Sequence, residues 1–209
     1  MEHYFTNNEN AKSNEQTFQT EVLGKKMKFI TDIGVFSKNE LDEASRFLIE
    51  TFHAQNLKGS ILDVGCGYGA IGIALATGTD EQVHLIDVNL RAIDLAKRNA
   101  KLNNVEQVTI YESDCYEAVD RKFDHIISNP PIRAGKKVVH KILEDASKFL
   151  EDEGTLTIVI AKQHGAASSE RKMMEIFGNV HRLARKKGFW ILQSIANPVI
   201  INKPTMPSK

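Results

Sequence analysis

The stretch Ile61-Leu62-Asp63-Val64-Gly65-Cys66-Gly67-Tyr68-Gly69 joins a short apolar run to a turn in which glycine occupies every second position. The apolar run predicts a buried strand. Glycine lets the backbone turn sharply, and it lets another molecule approach to contact distance because it has no Cβ. Residues 70–77 continue with further apolar side chains, so this part of the chain predicts a strand, a tight loop and a helix in succession.

The same alternation of strands and helices continues toward the C-terminus. Further strands are predicted at residues 83–86, 108–111, 123–128, 155–161, 180–184 and 190–195, and further helices at 90–103, 138–150 and 168–177. This alternation is typical of a mainly parallel sheet with helices on both faces. Lys186-Lys187-Gly188 suits a hairpin between the last two strands, which would make the final strand antiparallel.

The N-terminal part of the chain has a different pattern. Between residues 18 and 30, two apolar runs flank Gly24-Lys25-Lys26 and predict a hairpin. Ser37 precedes Glu40 by three positions, the spacing of a capping box, and predicts a helix over residues 38–53. We therefore divide the chain into an arm and hairpin (1–36), a main domain (37–201) and a tail (202–209). The role of the polar residues 1–17 is left open by the sequence.

Composition bounds the class of protein. The 209 residues suit one domain, and 27 basic side chains balance 27 acidic ones, so no overall field draws the chain to nucleic acid. The two cysteines form no disulfide pattern, and the seven histidines lack the spacing of metal ligands, so we expect a cytoplasmic location and no metal site. No apolar run approaches membrane-spanning length, which predicts no membrane association. The oligomeric state is open, with a monomer favoured.

The glycine loop admits two classes of cofactor. Gly67-Tyr68-Gly69-Ala70-Ile71-Gly72 fits the dinucleotide fingerprint, and Asp87 lies 20 residues beyond Gly67, where an NAD enzyme places its ribose-binding acid. Asp63, however, lies two residues before Gly65. A carboxylate there would repel a pyrophosphate but would attract the cationic methionine portion of S-adenosylmethionine. The charge therefore favours the sulfonium cofactor.

Two further acids follow the ends of predicted strands. Asp87 can accept hydrogen bonds from ribose hydroxyls, and Asp114 can accept one from an adenine amino group. Both lie at carboxyl ends of parallel strands, where open α/β sheets bind ligands. Three acids in this order, together with the glycine loop, predict a site for a nucleoside cofactor.

Asn129-Pro130-Pro131-Ile132 follows another predicted strand, 66 positions after Asp63. The Asn129 side-chain oxygen and the Pro130 carbonyl can accept hydrogen bonds from both N–H groups of a planar amine and orient its lone pair for methyl transfer. The prolines make the loop rigid. No strong general base is required, because the amine proton becomes acidic once the nitrogen carries a fourth bond. A simple turn after a strand is the alternative interpretation.

With these motifs, the chain from about residue 29 to residue 196 resembles the class I S-adenosylmethionine-dependent methyltransferases. The resemblance implies a Rossmann-like fold with a mainly parallel, seven-stranded sheet and an antiparallel last strand. It implies S-adenosyl-L-methionine as the cofactor, with its methionine side at Asp63, Gly65 and Gly67, its ribose at Asp87, and its adenine edge at Asp114 and Cys115. The full implied set is Asp63, Gly65, Cys66, Gly67, Gly69, Asp87, Val88, Asp114, Cys115, Asn129 and Phe36.

A narrower resemblance rests on two strings. Asn129-Pro130-Pro131-Ile132-Arg133-Ala134-Gly135-Lys136, with Thr31-Asp32-Ile33-Gly34-Val35-Phe36-Ser37 upstream, is similar to the single-domain relatives of the 16S ribosomal RNA guanine-N2 methyltransferases. The family's adenine and glutamine methyltransferases usually carry an aromatic fourth residue, whereas this chain has Ile132. The resemblance implies methyl transfer to the N2 amine of a guanine in small-subunit ribosomal RNA, free or in an assembled subunit. The implied catalytic residues are Asn129, Pro130, Pro131 and Ile132.

Phe36 and the basic side chains each allow two interpretations. Phe36 is an apolar wall over the cofactor or a hydrophobic staple on the following helix. The basic residues are contacts to RNA phosphates, which would leave specificity to RNA shape, or ordinary solvated faces. The first cluster follows the acceptor motif and comprises Arg133, Lys136, Lys137, His140 and Lys141, of which Arg133, Lys136 and Lys137 are the candidate RNA contacts. A second cluster comprises Arg182, Arg185, Lys186 and Lys187.

Other functions stay open at this point. A glutamine-N5 or adenine-N6 methyltransferase, a noncatalytic cofactor-binding module that recognises RNA or ribosomes, and an NAD-linked oxidoreductase each fit part of the pattern. The chain also departs from the family twice. It has Glu43-Ala44 where a small residue or glycine is expected after the start of the first helix, and Ala70 where proline is frequent.

Overall fold

Strands and helices alternate through most of the chain. The computed structural model describes residues 13–33, 35 and 40–197. Its strands are β1 (Gln16–Val22), β2 (Lys25–Thr31), β3 (Ile61–Val64), β4 (Val83–Asp87), β5 (Val108–Glu112), β6 (Phe123–Ser128), β7 (Leu150–Ala161), β8 (His181–Lys186) and β9 (Phe189–Ile195). Its helices are α1 (Glu43–His53), α2 (Ala70–Ala76), α3 (Leu90–Leu102), α4 (Lys136–Ala146) and α5 (Ala166–Phe177), with short 3-10 turns at Ile132–Ala134 and Lys162–His164.

The main sheet has seven strands in the spatial order β5-β4-β3-β6-β7-β9-β8. The first five of these pair in parallel. Strand β9 runs antiparallel to both of its neighbours, β7 and β8. A mainly parallel, seven-stranded sheet with an antiparallel last strand is the predicted fold, and the structure confirms it.

Helices cover both faces of the sheet. One core includes Leu48, Ile73 and Leu95 from α1, α2 and α3, and the other includes Leu143 and Met173 from α4 and α5. All four residues of β3 are buried, as expected for a central strand covered on both faces. Within the part of the chain that the structure describes, no helix combines the length and apolarity needed to cross a bilayer.

Helix α1 begins later than predicted. Its N-cap is Asp42, whose side chain accepts a hydrogen bond of 3.0 Å from the Ser45 backbone N–H, and the helix starts at Glu43 rather than at residue 38. Aspartate is a favoured N-cap because its carboxylate satisfies a free N–H group of the first turn. The predicted cap, Ser37, lies outside the described residues.

Strand β7 begins earlier than predicted, and α4 ends earlier. Helix α4 stops at Ala146, and Leu150 pairs with Phe123 of β6 at the start of β7 instead of ending the helix. Leu150 is buried in either arrangement, so apolar spacing cannot distinguish them. The polar run Glu151-Asp152-Glu153 hides the strand in the sequence, because all three side chains are exposed.

The N-terminal hairpin is attached to α3 by two asparagines. Asn103 Oδ1 accepts from the Lys28 N–H at 3.0 Å and Asn103 Nδ2 donates to the Lys28 carbonyl at 2.8 Å. Asn99 makes the same two bonds to Ile30, at 2.7 and 2.9 Å. Four residues along a helix rise about 6 Å, which is close to the rise of about 6.6 Å over two residues of a strand. The two asparagine amides, four residues apart on α3, can therefore bond alternate residues of β2, as a neighbouring strand would.

Replacement of Asn99 by Ala should lower the free energy of unfolding by about 2–4 kcal/mol, because the buried Tyr68 carbonyl and the partly buried backbone groups of Ile30 lose their partner. Asn103→Ala is the matched control. It should cost less than about 1 kcal/mol, since water can replace its exposed bonds to Lys28. Urea denaturation of both variants measures the difference, and equal losses would contradict the role given to Asn99.

Candidate active site

The glycine loop and the Asn-Pro-Pro motif meet because β3 and β6 are neighbours. The two strands pair in parallel with Asp63 opposite Ile127. At their carboxyl ends, Ser128 Oγ donates a hydrogen bond of 2.7 Å to the Val64 carbonyl, and both groups are buried. The loops begin at the next residue of each strand. They stay in contact, since a Cβ built on Gly65 would lie 4.0 Å from Cδ of Pro131.

The glycine loop has a backbone that favours glycine at three positions. Gly65, Gly67 and Gly69 have φ angles of 73°, 56° and 91°. A Cβ on Gly69 would also lie only 2.7 Å from Cδ1 of Ile73. The Ile86 carbonyl accepts from the N–H groups of the first two loop residues, both at 2.9 Å, which attaches the loop to the end of β4.

A cavity of about 690 Å³ lies at the carboxyl ends of the parallel strands. Its volume is in the range of small-molecule and cofactor sites, about 300–1,000 Å³. The structure brings most of the predicted site residues together in its lining. They are Gly65, Cys66, Gly67, Asp87, Val88, Asp114, Cys115, Asn129, Pro130, Pro131, Ile132 and Arg133.

Four predicted residues do not line this cavity: Asp63, Gly69, Lys136 and Lys137. Phe36 lies outside the described residues, so the structure does not choose between its two interpretations. The lining also contains residues that the sequence did not single out. Among them are Asp42, Ser45, Tyr68, Asn89, Ser113, His164 and Phe189.

Asp63 is fully buried behind the glycine loop. Its Oδ2 accepts from the Gly72 N–H at 2.9 Å, whereas its Oδ1 is buried with no hydrogen-bond partner among the described residues. Burial raises the pKa of this carboxyl to about 7; the Gly72 hydrogen bond lowers it, and the nearby charge of Asp87 raises it further. Two acids whose charged forms are disfavoured by burial therefore lie under the loop, although Asp63 is not on the cavity surface.

Asp87 attaches the end of β4 to the glycine loop. Its Oδ2 accepts from the Gly67 N–H and its Oδ1 from the Asn89 N–H, both at 2.9 Å. Burial raises the pKa of Asp87, and the backbone hydrogen bonds only partly oppose this effect. A carboxylate has about four acceptor positions, so Asp87 retains capacity for a ligand's hydroxyl groups.

Asp114 and the cysteines complete this end of the cavity. Asp114 is exposed and forms an ion pair of 3.4 Å with Lys141. Cys66 and Cys115 are free thiols, and burial raises the pKa of Cys115 to about 12 and that of Cys66 well above its ordinary value. Thiols that stay protonated at neutral pH fit small buried side chains better than nucleophiles.

Asn129 is held by a residue that the sequence did not indicate. Its Nδ2 donates to Ser45 Oγ at 3.1 Å, and Ser45 is only 5% exposed in the first turn of α1. Because the amide nitrogen is used on the protein side, the carbonyl oxygen Oδ1 is the atom offered as an acceptor. The two residues are 84 positions apart, and no local pattern connects them.

The two basic clusters differ in their partners. In the second cluster, Arg182 pairs with Glu170, Lys186 with Glu50 and Lys187 with Glu43, while Arg182 and Arg185 lie over the Trp190 ring at 4.4 and 4.9 Å. In the first, Lys141 pairs with Asp114 and Glu117. Arg133, Lys136 and Lys137 take part in no ion pair with any residue that the structure describes.

The strand order, the antiparallel last strand and the cavity at the carboxyl edge define a Rossmann-like methyltransferase fold. The fold is similar to that of the T. thermophilus 16S rRNA N2 G1207 methyltransferase in complex with AdoMet and guanosine, with a TM-score of 0.80 and 24% identity over 87% of this chain and 50% of that one. Residues 26–193 match the methyltransferase small domain family. The chain belongs to this family.

Two curated relatives extend the comparison. The uncharacterized protein YbxB of Bacillus subtilis (strain 168) is 46% identical over 196 residues, which are 92% of this chain and 98% of the relative. Ribosomal RNA small subunit methyltransferase C of Aeromonas hydrophila is 38% identical over 131 residues, 60% of this chain. The matched part is only 37% of that relative's own length.

Replacement of Asp63 by Asn should stabilise the protein increasingly as the pH rises from 5 to 8. The protonated carboxyl stabilises the fold fully below its unfolded pKa of about 3.9, and this contribution is lost as the pH rises through about 7. The wild type therefore carries a cost on the order of 4 kcal/mol at pH 8 that the variant lacks. Urea unfolding at several pH values measures it.

Asp124→Asn is the control for this experiment. Burial alone would raise the pKa of Asp124, but hydrogen bonds from Ser60 outweigh it and lower the pKa below its ordinary value. Asp124 is thus ionised throughout the range, and its replacement should change stability by the same amount at each pH from 5 to 8. A pH-independent effect of Asp63→Asn as well would show that Asp63 is ionised in the folded protein.

Proposed function

We propose that this protein is an S-adenosylmethionine-dependent N-methyltransferase that methylates the N2 amine of a guanine in small-subunit ribosomal RNA. The observation that carries the proposal is the position of Asn129. Its amide, fixed by Ser45, lines the same cavity as the glycine loop and Asp87. The names of the A. hydrophila and T. thermophilus proteins, which are matched over 37% and 50% of their lengths, support the choice of substrate.

The residues present fit the cofactor. Gly65 and Gly67 would present backbone without a Cβ to its methionine portion, Asp87 would offer carboxylate oxygens to ribose hydroxyls, and Asp114 with Cys115 would hold the adenine edge. A cation would stabilise the ionised forms of the buried acids Asp63 and Asp87, so this pair favours a cationic ligand over a pyrophosphate. When bound, S-adenosylmethionine supplies an electrophilic methyl group on a sulfonium centre.

The acceptor residues act by holding an amine in one orientation. Oδ1 of Asn129 and the Pro130 carbonyl accept hydrogen bonds from the two N–H groups of the amine. This draws the lone pair out of conjugation with the ring and fixes its direction. Pro130 and Pro131 restrict the backbone, which lies against the glycine loop at Gly65.

Ile132 favours guanine over the alternative acceptors. The side chain lines the cavity beside Asn129 and provides an apolar surface without an aromatic ring. It cannot stack on an adenine as an aromatic fourth residue would. The uncompensated charge of Arg133, also in the lining, suits an acceptor that carries phosphates.

Incubation with labelled S-adenosylmethionine tests the substrate. Small ribosomal subunits, naked small-subunit ribosomal RNA and a release factor are offered separately, and labelled nucleosides are separated after digestion. We expect the label in N2-methylguanosine from one of the two RNA-containing samples. Label in N6-methyladenosine, or only in protein, would overturn the assignment to guanine.

Asn129→Ala should lower turnover by about 100-fold, because the amine loses its orienting acceptor. Cofactor affinity, measured by calorimetry, should change less than about twofold, since Asn129 is not the main cofactor contact in this proposal. Asp87→Ala is the opposite control, because its carboxylate supports both the glycine loop and the ribose site. It should weaken cofactor binding, and turnover that survives in Asn129→Ala would exclude the acceptor role.

Ser45 acts as a positioning residue for Asn129, and its replacement gives a separate test. Ser45→Ala should lower kcat by about tenfold, the equivalent of one hydrogen bond, and leave cofactor affinity unchanged. A double-mutant cycle separates positioning from a general loss of structure. In the Asn129→Ala background, Ser45→Ala should have no further effect on kcat, whereas additive losses would mean that Ser45 acts independently of Asn129.

A further inference from the structure

A second, smaller cavity of about 190 Å³ lies next to the acceptor motif. It shares two wall residues, Ile132 and His164, with the larger cavity. The remaining lining comes from α4 and from the start of α5. We call this second cavity the side cavity. Its described lining residues are Ile132, Lys136, Val139, His140, His164, Gly165, Ser168 and Ser169.

Among the described residues, the lining of the side cavity contains one lysine, Lys136, and no acidic residue. Lys136 forms no ion pair with a described residue, unlike Lys141 on the same helix, which contacts two carboxylates. No described residue therefore neutralises its charge through an ion pair. His140 and His164 add imidazole nitrogens from two different elements.

The side cavity also offers hydrogen-bonding groups. Nε2 of His140, a lining residue, has no hydrogen-bond partner in the described part of the chain, and it donates when it carries the ring proton. Ser168 contributes a hydroxyl, and the first turn of α5 begins at Gly165 without a side-chain cap. Backbone N–H groups at such a helix start are free to bind an acceptor. Cations and donors without a carboxylate are the chemistry that binds an oxyanion.

We propose that the side cavity binds a backbone phosphate of the RNA next to the nucleotide whose base enters the acceptor site. This inference rests on the proposed function. A target base that leaves its stack brings its own phosphates with it, and the two cavities are adjacent, since Ile132 and His164 line both of them. A phosphate held there would fix the register of the RNA without reading its sequence.

The first measurement uses inorganic phosphate and needs no turnover. It is titrated into the isotope-labelled protein at constant ionic strength, with chloride as the balancing anion, while NMR follows Gly165, Ser168 and the His140 and His164 imidazoles. We expect saturable shifts at these groups. Lys136→Ala should weaken phosphate binding by about tenfold, the loss of one charge-assisted hydrogen bond.

Lys137→Ala is the matched control for Lys136→Ala. Lys137 is the next residue of α4, carries the same charge and does not line the side cavity. It should leave the phosphate titration unchanged. No saturable shift in the wild type, or equal weakening by both variants, would overturn the phosphate site.

The second measurement distinguishes an RNA phosphate from a free ion. Short RNA strands with a central guanine carry one uncharged methylphosphonate linkage, which is moved along the strand, and binding is followed by fluorescence anisotropy. At one position beside the guanine, the methylphosphonate linkage should weaken RNA binding to the wild type and to Lys137→Ala but not to Lys136→Ala. Phosphate binding without any such position would overturn the assignment to RNA. Both binding measurements are independent of turnover. If they succeed but guanine is not labelled in the methylation assay, the result contradicts the proposed function and not the phosphate site.

Discussion

The pairing of β3 with β6, closed by the hydrogen bond from Ser128 to the Val64 carbonyl, is the constraint on which the site depends. Each of these residues is the last before a functional loop. Parallel strands end at the same edge of a sheet, so the pairing places the glycine loop and Asn129 in one cavity although 64 residues separate Ser128 from Val64. An insertion or a shift of one residue in either strand would move one loop relative to the other and rotate its side chains to the opposite face.

The same arrangement carries an electrostatic cost. Asp63 is buried, one of its oxygens has no hydrogen-bond partner among the residues that the structure describes, and both it and Asp87 have raised pKa values because burial disfavours their charged forms. A cation bound in the cavity would stabilise those charged forms and lower both pKa values. By linkage, ionisation of the two acids would strengthen the binding of a cation by the same free energy. The free-energy cost of ionising the buried Asp63 therefore favours the binding of a cationic ligand.

The ion pairs are distributed unevenly, so positive charge is balanced in one part of the neutral chain and not in another. Most cations on β8 and the following turn are balanced by Glu43, Glu50 and Glu170, which lie on helices packed nearby. The cations beside the acceptor loop are not balanced in this way by the described residues. Positive charge is consequently retained beside the acceptor loop, while the net charge of the whole chain stays at zero.

The sequence by itself determined the alternation of elements, the glycine loop and the strand-end positions of Asp87 and Asn129, because all of these are expressed in local periodicity and local backbone requirements. It misplaced the start of α1 and the boundary between α4 and β7, where Asp42 capping and the exposed acids before Thr155 gave competing local signals. Only the tertiary structure decided that Ser45 holds Asn129, that Asp63 is buried behind its loop, and that Lys187 is paired with Glu43 while Lys136 is not. Those contacts join residues far apart in the chain, and they exist only because the packing of helices on the sheet brings their side chains within bonding distance.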